Sequence, residues 1–134
     1  MIVEHAKLLG LSDKLTLVGV VTRAQVYKFL IDSTVYISAS KWEGIGVANL
    51  EAAALGCYPF LSDIPPHREI AENIGIDVHP LKDAEAWIAS LGDFLNTKPS
   101  VQVAKREEVS RLTREGYDLL NAVRKYIKIY ADFL

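Results

Sequence analysis

The stretch SASKWEGIGVANLEAAALGCYPFLSD, residues 38–63, organises the rest of this chain. It leaves an apolar strand, turns through a loop bearing Gly44 and Gly46, and enters a helix. Gly56 ends that helix, and a second strand follows. Two carboxylates, Glu43 and Glu51, stand across the junction of loop and helix. A rise of ~1.5 Å per helical residue sets them about 10 Å apart along the axis. Between them lie backbone N–H groups and the positive end of a helix dipole, which favour an anion such as phosphate. Gly44 and Gly46 carry no Cβ, so a ligand can approach the backbone closely there. The same letters also read as ordinary strand–loop–helix grammar, with both glutamates on solvated helix surface.

Working outward, the chain has 134 residues, enough for one domain with a real core. Half of them are apolar and 24% charged, which is globular composition rather than disorder. A net charge of −2 gives no general attraction to nucleic acid. The single cysteine, Cys57, excludes an internal disulfide and suits a reducing compartment. No apolar run approaches the ~18 residues a membrane helix needs, and the N-terminus lacks a signal layout. A soluble, cytoplasmic chain is expected.

Upstream, residues 2–9 read as a short helix closed by Gly10, and residues 15–18 as a short strand ending at Gly19. Thr22 can cap a helix over 23–32, with Val26, Phe29 and Leu30 on its buried face. Val35, Tyr36 and Ile37 form the strand feeding the loop, and their apolar run predicts cover on both faces, as in a parallel sheet. Downstream, 58–61 is the next strand, and Pro65-Pro66 starts a short helix through Glu69 and Ile70. Residues 76–79 form a fourth strand. Asp83 caps a helix carrying Ala86, Trp87, Leu91, Phe94 and Leu95, which breaks at residues 96–100, the one candidate linker. A helix over 101–114 follows, and after Gly116 a last helix has its apolar stripe on Leu119, Leu120, Val123, Tyr126, Ile127, Tyr130 and Leu134. Alternating strand and helix predicts an α/β fold with a doubly wound, Rossmann-like parallel sheet.

The central stretch resembles the signature of retaining GT-B glycosyltransferases of the family 4, or group 1, type. That signature sets a serine before an E-G-x-G turn, a second glutamate eight residues after the first (E-x7-E), an alanine run and G-x-P. Here the matching residues are Ser40, Glu43-Gly44-Ile45-Gly46, Glu51-Ala52-Ala53-Ala54, Gly56 and Pro59. The continuation SDIPPHREI, residues 62–70, resembles the family's next segment. The resemblance covers nearly the whole chain and implies residues 1–134 as the donor-binding, C-terminal domain of such an enzyme, incomplete, with 97–134 as its helical end.

From that resemblance follows a nucleotide-diphosphate sugar, UDP- or GDP-linked, as donor, with no metal required. Glu51 would accept the ribose hydroxyls, as an acceptor-only carboxylate can. Glu43 would face the donor sugar as the catalytic glutamate. The amides of Ile45, Gly46 and Val47 would meet sugar or phosphate, with Gly44 keeping the loop open. Gly19, matching the family's G-x-V/I glycine, would line the donor pocket or merely turn the chain. The resemblance also places two strands and a basic Arg-to-Lys pair upstream of this chain, and an N-terminal acceptor domain beyond them. Their absence predicts self-association through an open sheet edge, or direct pairing of residues 15–18 with a remaining strand, and no transferase activity for the chain alone. A non-catalytic accessory or partner-binding subunit that kept the fold is the alternative.

Other residues read more plainly. His67 and Arg68 before Glu69 can be read as a catalytic cluster, but the exposed first turn of a helix is the expectation for them. Glu69 matches a recurrent glutamate of the family it resembles and equally suits a charge at a helix start. His5 and His79 stand without metal-ligand spacing, so no metal site is expected. Ser40 lacks a G-x-S-x-G context and is a loop residue rather than a nucleophile. Residues 98–134 hold eight basic and five acidic side chains, against seven and twelve before them. A basic tail can lie on the inner face of a membrane, although packing against the fold is the reading preferred here.

Overall fold

Short apolar runs alternating with capped helices assemble here into a parallel sheet under helices. The computed structural model describes residues 2–118 together with 123, 127, 128 and 131. In chain order come α1 (Ile2–Leu8), a 3₁₀ turn (Ser12–Lys14), α2 (Arg23–Asp32), β1 (Val35–Ser38), α3 (Val47–Ala54) and β2 (Tyr58–Ser62). Then follow α4 (Pro65–Ile74), β3 (Val78–His79), α5 (Ala84–Leu95) and α6 (Pro99–Gly116). The three strands pair in parallel in the order β1-β2-β3, with Val35 opposite Tyr58 and Leu61 opposite Val78. Successive strands joined by α3 and α4 make the Rossmann-like α/β arrangement expected from the alternation.

The central strand is the core. Phe60, Leu61 and Ser62 of β2 are buried, and Ala53, Leu61, Ile70, Ile74 and Val109 pack together across β2, α3, α4 and α6. On the α5 side, Tyr58 stacks on Phe94 with ring centroids 4.5 Å apart, and Phe60 stacks on His79 at 5.3 Å. Arg106 of α6 donates to the carbonyls of Gly56 and Ser33, and Ser110 donates to Ala54 O. These bonds satisfy carbonyls left over where α2 and α3 end.

The caps agree with the sequence. Thr22 and Gln25 form a reciprocal capping box at the start of α2, and Asp83 accepts from Ala86 N at the start of α5. Helix α4 ends on Gly75 in the left-handed region at φ 69°.

Several expectations are corrected. Residues 15–18 are not a strand: Leu15 is extended, but no partner lies beside it among the described residues, and Leu17 and Val18 are exposed. Extended backbone becomes strand only when a neighbour takes its hydrogen bonds. The sheet therefore has three strands there, and residues 15–18 pair with none of them. Strand β1 is not covered on both faces, because Ile37 is 52% exposed at the sheet's edge. The expected inner face of α2 is only half covered at Val26 and Leu30, and Phe29 is exposed. Residues 96–100 are no linker: Gln102 Nε2 donates to the carbonyls of Leu95 and Thr97, and α6 begins at Pro99 and packs on α3 and α4. The fourth expected strand shortens to Val78–His79. The last expected helix falls largely outside the described residues.

Candidate functional site

The loop from β1 to α3 carries the candidate residues, and helix geometry decides where each goes. Gly46 caps α3 at φ 72°, a conformation that side chains with a Cβ rarely adopt. A Cβ there would come 2.6 Å from Asn49 Nδ2, 3.0 Å from Glu43 Oε2 and 3.2 Å from Ile70 Cδ1. Gly46 is thus required by the protein's own packing. Gly44, by contrast, is exposed with nothing near its missing Cβ. Ile45 and Val47 are exposed beside it, and Val47 opens α3.

Glu43 is held from several sides. Ser38 donates to Oε1 at 3.2 Å, and Asn49 Nδ2 donates to Oε2 at 3.3 Å. His67 Nε2 lies 3.5 Å from Oε2. The Ser40 hydroxyl, with help from Ser38 and His67, holds the carboxyl below its ordinary range against the opposing effect of burial. Glu51 belongs to a separate set. Arg23 Nη2 sits 2.5 Å from its Oε1, and Tyr27 donates to the same oxygen at 3.0 Å. Tyr36 of β1 ties the sets together: its phenol is pushed up first by burial, then by the negative charge of Glu43, and also by that of Glu51. Along the chain the N-terminus of α3, at Val47, lies between the two carboxylates.

Gly19 has φ 63° and open space around it, in the extended approach to α2. It turns the chain. Two concavities, of about 470 and 260 Å³, lie away from the carboxylates, one where α6 crosses the end of α3 and one beside Phe60 and Phe94. Neither is lined by Glu43 or Glu51, whose side chains are 22% and 26% exposed. Among the described residues no three His, Cys, Asp or Glu groups are placed to hold a metal ion.

The expected position of His67 is overturned, because the side chain is fully buried. Its ring Nδ1 lies 2.9 Å from Ser62 O and 3.1 Å from Ser62 Oγ, and Ser62 Oγ donates to Ser40 O at 2.6 Å. A signal was present in the letters. Positions 67, 70, 71 and 74 fall on one helical stripe, and Ile70, Ala71 and Ile74 are its buried apolar members. Asn49 follows the same rule, three and four residues before the buried Ala52 and Ala53. Arg23 and Tyr27 were also missed, as they meet Glu51 only once α2 is laid beside α3.

Comparisons with known proteins show the family of this chain. A family model described as glycosyl transferases group 1 matches residues 1–115. A GDP-mannose:cellobiosyl-diphosphopolyprenol alpha-mannosyltransferase of Xanthomonas oryzae pv. oryzae is 30% identical over 93% of this chain and 33% of its own length. The Xanthomonas campestris protein of the same name is 28% identical over 90% and 32%. A lipopolysaccharide core biosynthesis mannosyltransferase, LpsB, of Rhizobium meliloti is 22% identical over 98% and 37%. The chain thus spans about a third of the length of these relatives. No solved structure matches it.

Proposed function

The chain belongs to the glycosyl transferases group 1 family, and from that premise we propose that it is the donor-binding, C-terminal part of a retaining GT-B enzyme of the family 4 type. The carrying observation is the pair of separately braced carboxylates flanking the N-terminus of α3. Glu51 takes the ribose hydroxyls, Glu43 the hydroxyls of the sugar, and the Ile45–Gly46–Val47 backbone the diphosphate or sugar. Gly44 leaves that backbone open to approach. Gly19, with open space beside its missing Cβ, lines the donor pocket in this reading.

Retaining transfer builds positive charge at the anomeric carbon as the diphosphate departs. Fixed N–H groups at a helix N-terminus stabilise the departing charge, and a fixed carboxylate orients the sugar. Neither glutamate has to act as a nucleophile, and the scheme needs no metal. The names of the relatives point to GDP-mannose as the donor and to a lipid-linked acceptor. The acceptor domain and the basic phosphate pair would come from outside the chain, so the chain alone would bind donor without turnover. No helix among the described residues is long and apolar enough to cross a membrane. A cytoplasmic protein, meeting its acceptor at the membrane's inner face, fits this reading.

Calorimetric titration with GDP-mannose, GDP and UDP tests it, alongside an assay of GDP-mannose hydrolysis. Saturable binding of GDP-mannose and GDP is expected. Absence of binding by all three would remove the donor-site reading.

A further inference from the structure

We propose that the buried His67 is a positioning residue for Glu43, gripping its Oε2 through a hydrogen on Nε2 and so setting how the carboxylate meets the donor sugar. The inference rests on the donor-site reading above and adds to it a residue and a protonation pattern.

Hydrogen placement follows from the neighbours. Ser62 O is a carbonyl and can only accept, and it lies 2.9 Å from Nδ1, so Nδ1 carries a hydrogen. Ser62 Oγ leads to the same conclusion. Its one hydrogen points to Ser40 O at 2.6 Å, which leaves the hydroxyl to accept from Nδ1 at 3.1 Å. With Nδ1 occupied, Nε2 of a neutral ring would offer a lone pair. That atom is buried without a hydrogen-bond partner and faces Glu43 Oε2 at 3.5 Å. Two acceptors facing each other in a buried site repel, whereas one hydrogen between them makes a charge-assisted bond. The arrangement is complete only with that hydrogen in place.

The surroundings leave His67 no other task. Helix α4 begins at Pro65 and Pro66, which fix the turn bearing the ring, and Ile70 of the same helix packs against Gly46. The neighbouring Arg68 is committed to Asp63 on the exposed side. Without His67, Glu43 keeps its bonds from Ser38, Ser40 and Asn49 but loses the hold from the α4 side. The setting of Oε2 would then loosen, and discrimination for the sugar would suffer while the nucleotide end, held near Glu51, would not.

Two variants separate this role from simple core filling. In His67→Gln the amide reaches the place of Nε2 and can still donate to Glu43. In His67→Asn it reaches only the place of Nδ1 and keeps the Ser62 contact. The full chain is titrated with GDP-mannose and with GDP. His67→Asn is expected to lose at least fivefold in GDP-mannose affinity relative to GDP, and His67→Gln to stay within twofold of the parent ratio. Equal ratios in the two variants would overturn the proposal. If the parent binds neither ligand, the donor-site reading fails on its own, and nitrogen-detected NMR still decides the grip. The chain has three histidines, so the His67 signals are assigned by their loss in either variant. Hydrogens on both ring nitrogens, with the Nε2 hydrogen lost in Glu43→Gln, uphold it. A bare Nδ1, or an Nε2 signal unaffected by Glu43→Gln, overturns it.

Discussion

Arg23 Nη2 lies 2.5 Å from Glu51 Oε1, joining the first turn of α2 to the middle of α3. Tyr27, one turn further along α2, donates to the same oxygen. One carboxylate oxygen is thus committed inside the protein, and in the donor-site reading proposed above Oε2 is the one left for a ligand. Arg23 itself is largely exposed, so the pair adds little stability; it fixes direction rather than the fold.

Glu51→Ala is therefore expected to leave the thermal midpoint nearly unchanged and to weaken GDP binding. The loss of a charged hydrogen-bond acceptor is worth roughly 1.5–3 kcal/mol, about 10- to 150-fold in affinity. Calorimetric titration of both proteins measures it. Unchanged affinity would falsify the assignment of ribose to Glu51.

Gly46→Ala is expected to destabilise the chain, whereas Gly44→Ala is not. At Gly46 a Cβ must accept φ 72° and would meet Asn49 Nδ2 at 2.6 Å, so the left-handed cost of about 1–2 kcal/mol is a lower bound. At Gly44 the space is open, and a change within about 0.5 kcal/mol is expected. Urea unfolding of the two variants compares them. Equal midpoints would mean that the Gly46 contacts do not bind the loop to α3.

These two glycines show what the letters could and could not tell. Spacing and type picked out the loop, both helix caps at Thr22 and Asp83, and the segments that become β1, β2 and β3, because caps and periodicity are local properties. It could not separate Gly44 from Gly46, since the difference is a contact with Asn49 and Ile70 that exists only after folding. Residues 15–18 have strand composition, but a strand is a relation between two segments and no partner lies beside them among the described residues. His67 was misplaced because a polar residue in a first helical turn is usually solvated, and its stripe with Ile70, Ala71 and Ile74 was not weighed.

Glu43 predicts an acid limb in stability. Its carboxyl is held below the ordinary value of 4.5, by the Ser40 hydroxyl foremost. Folding thus favours the ionised form, and that contribution is complete above about pH 4.5 and fades as pH falls through the lower folded-state value. Glu43→Gln has no such charge to lose. The stability difference between the parent and Glu43→Gln should therefore shrink steadily below pH 4.5 in urea titrations at stepped pH. A difference constant from pH 6 down to pH 3 would sink the argument.

The free edge of β1 predicts concentration-dependent association. Its inner neighbour is β2, and no described strand takes its other edge, so a row of backbone donors and acceptors is left for another chain. Ile37 on that strand is 52% exposed, and Phe29 on the nearby α2 is 46% exposed, so apolar surface accompanies the open edge. Natural edge strands are commonly blunted by a charged residue, and Ile37→Lys supplies one. Light scattering across a dilution series should give masses rising above the 14.9 kDa of one chain as concentration increases. The Ile37→Lys chain should stay near that mass over the same range. If the parent is monomeric at every concentration, or if Ile37→Lys associates as strongly, the β1 edge is not the surface that drives association.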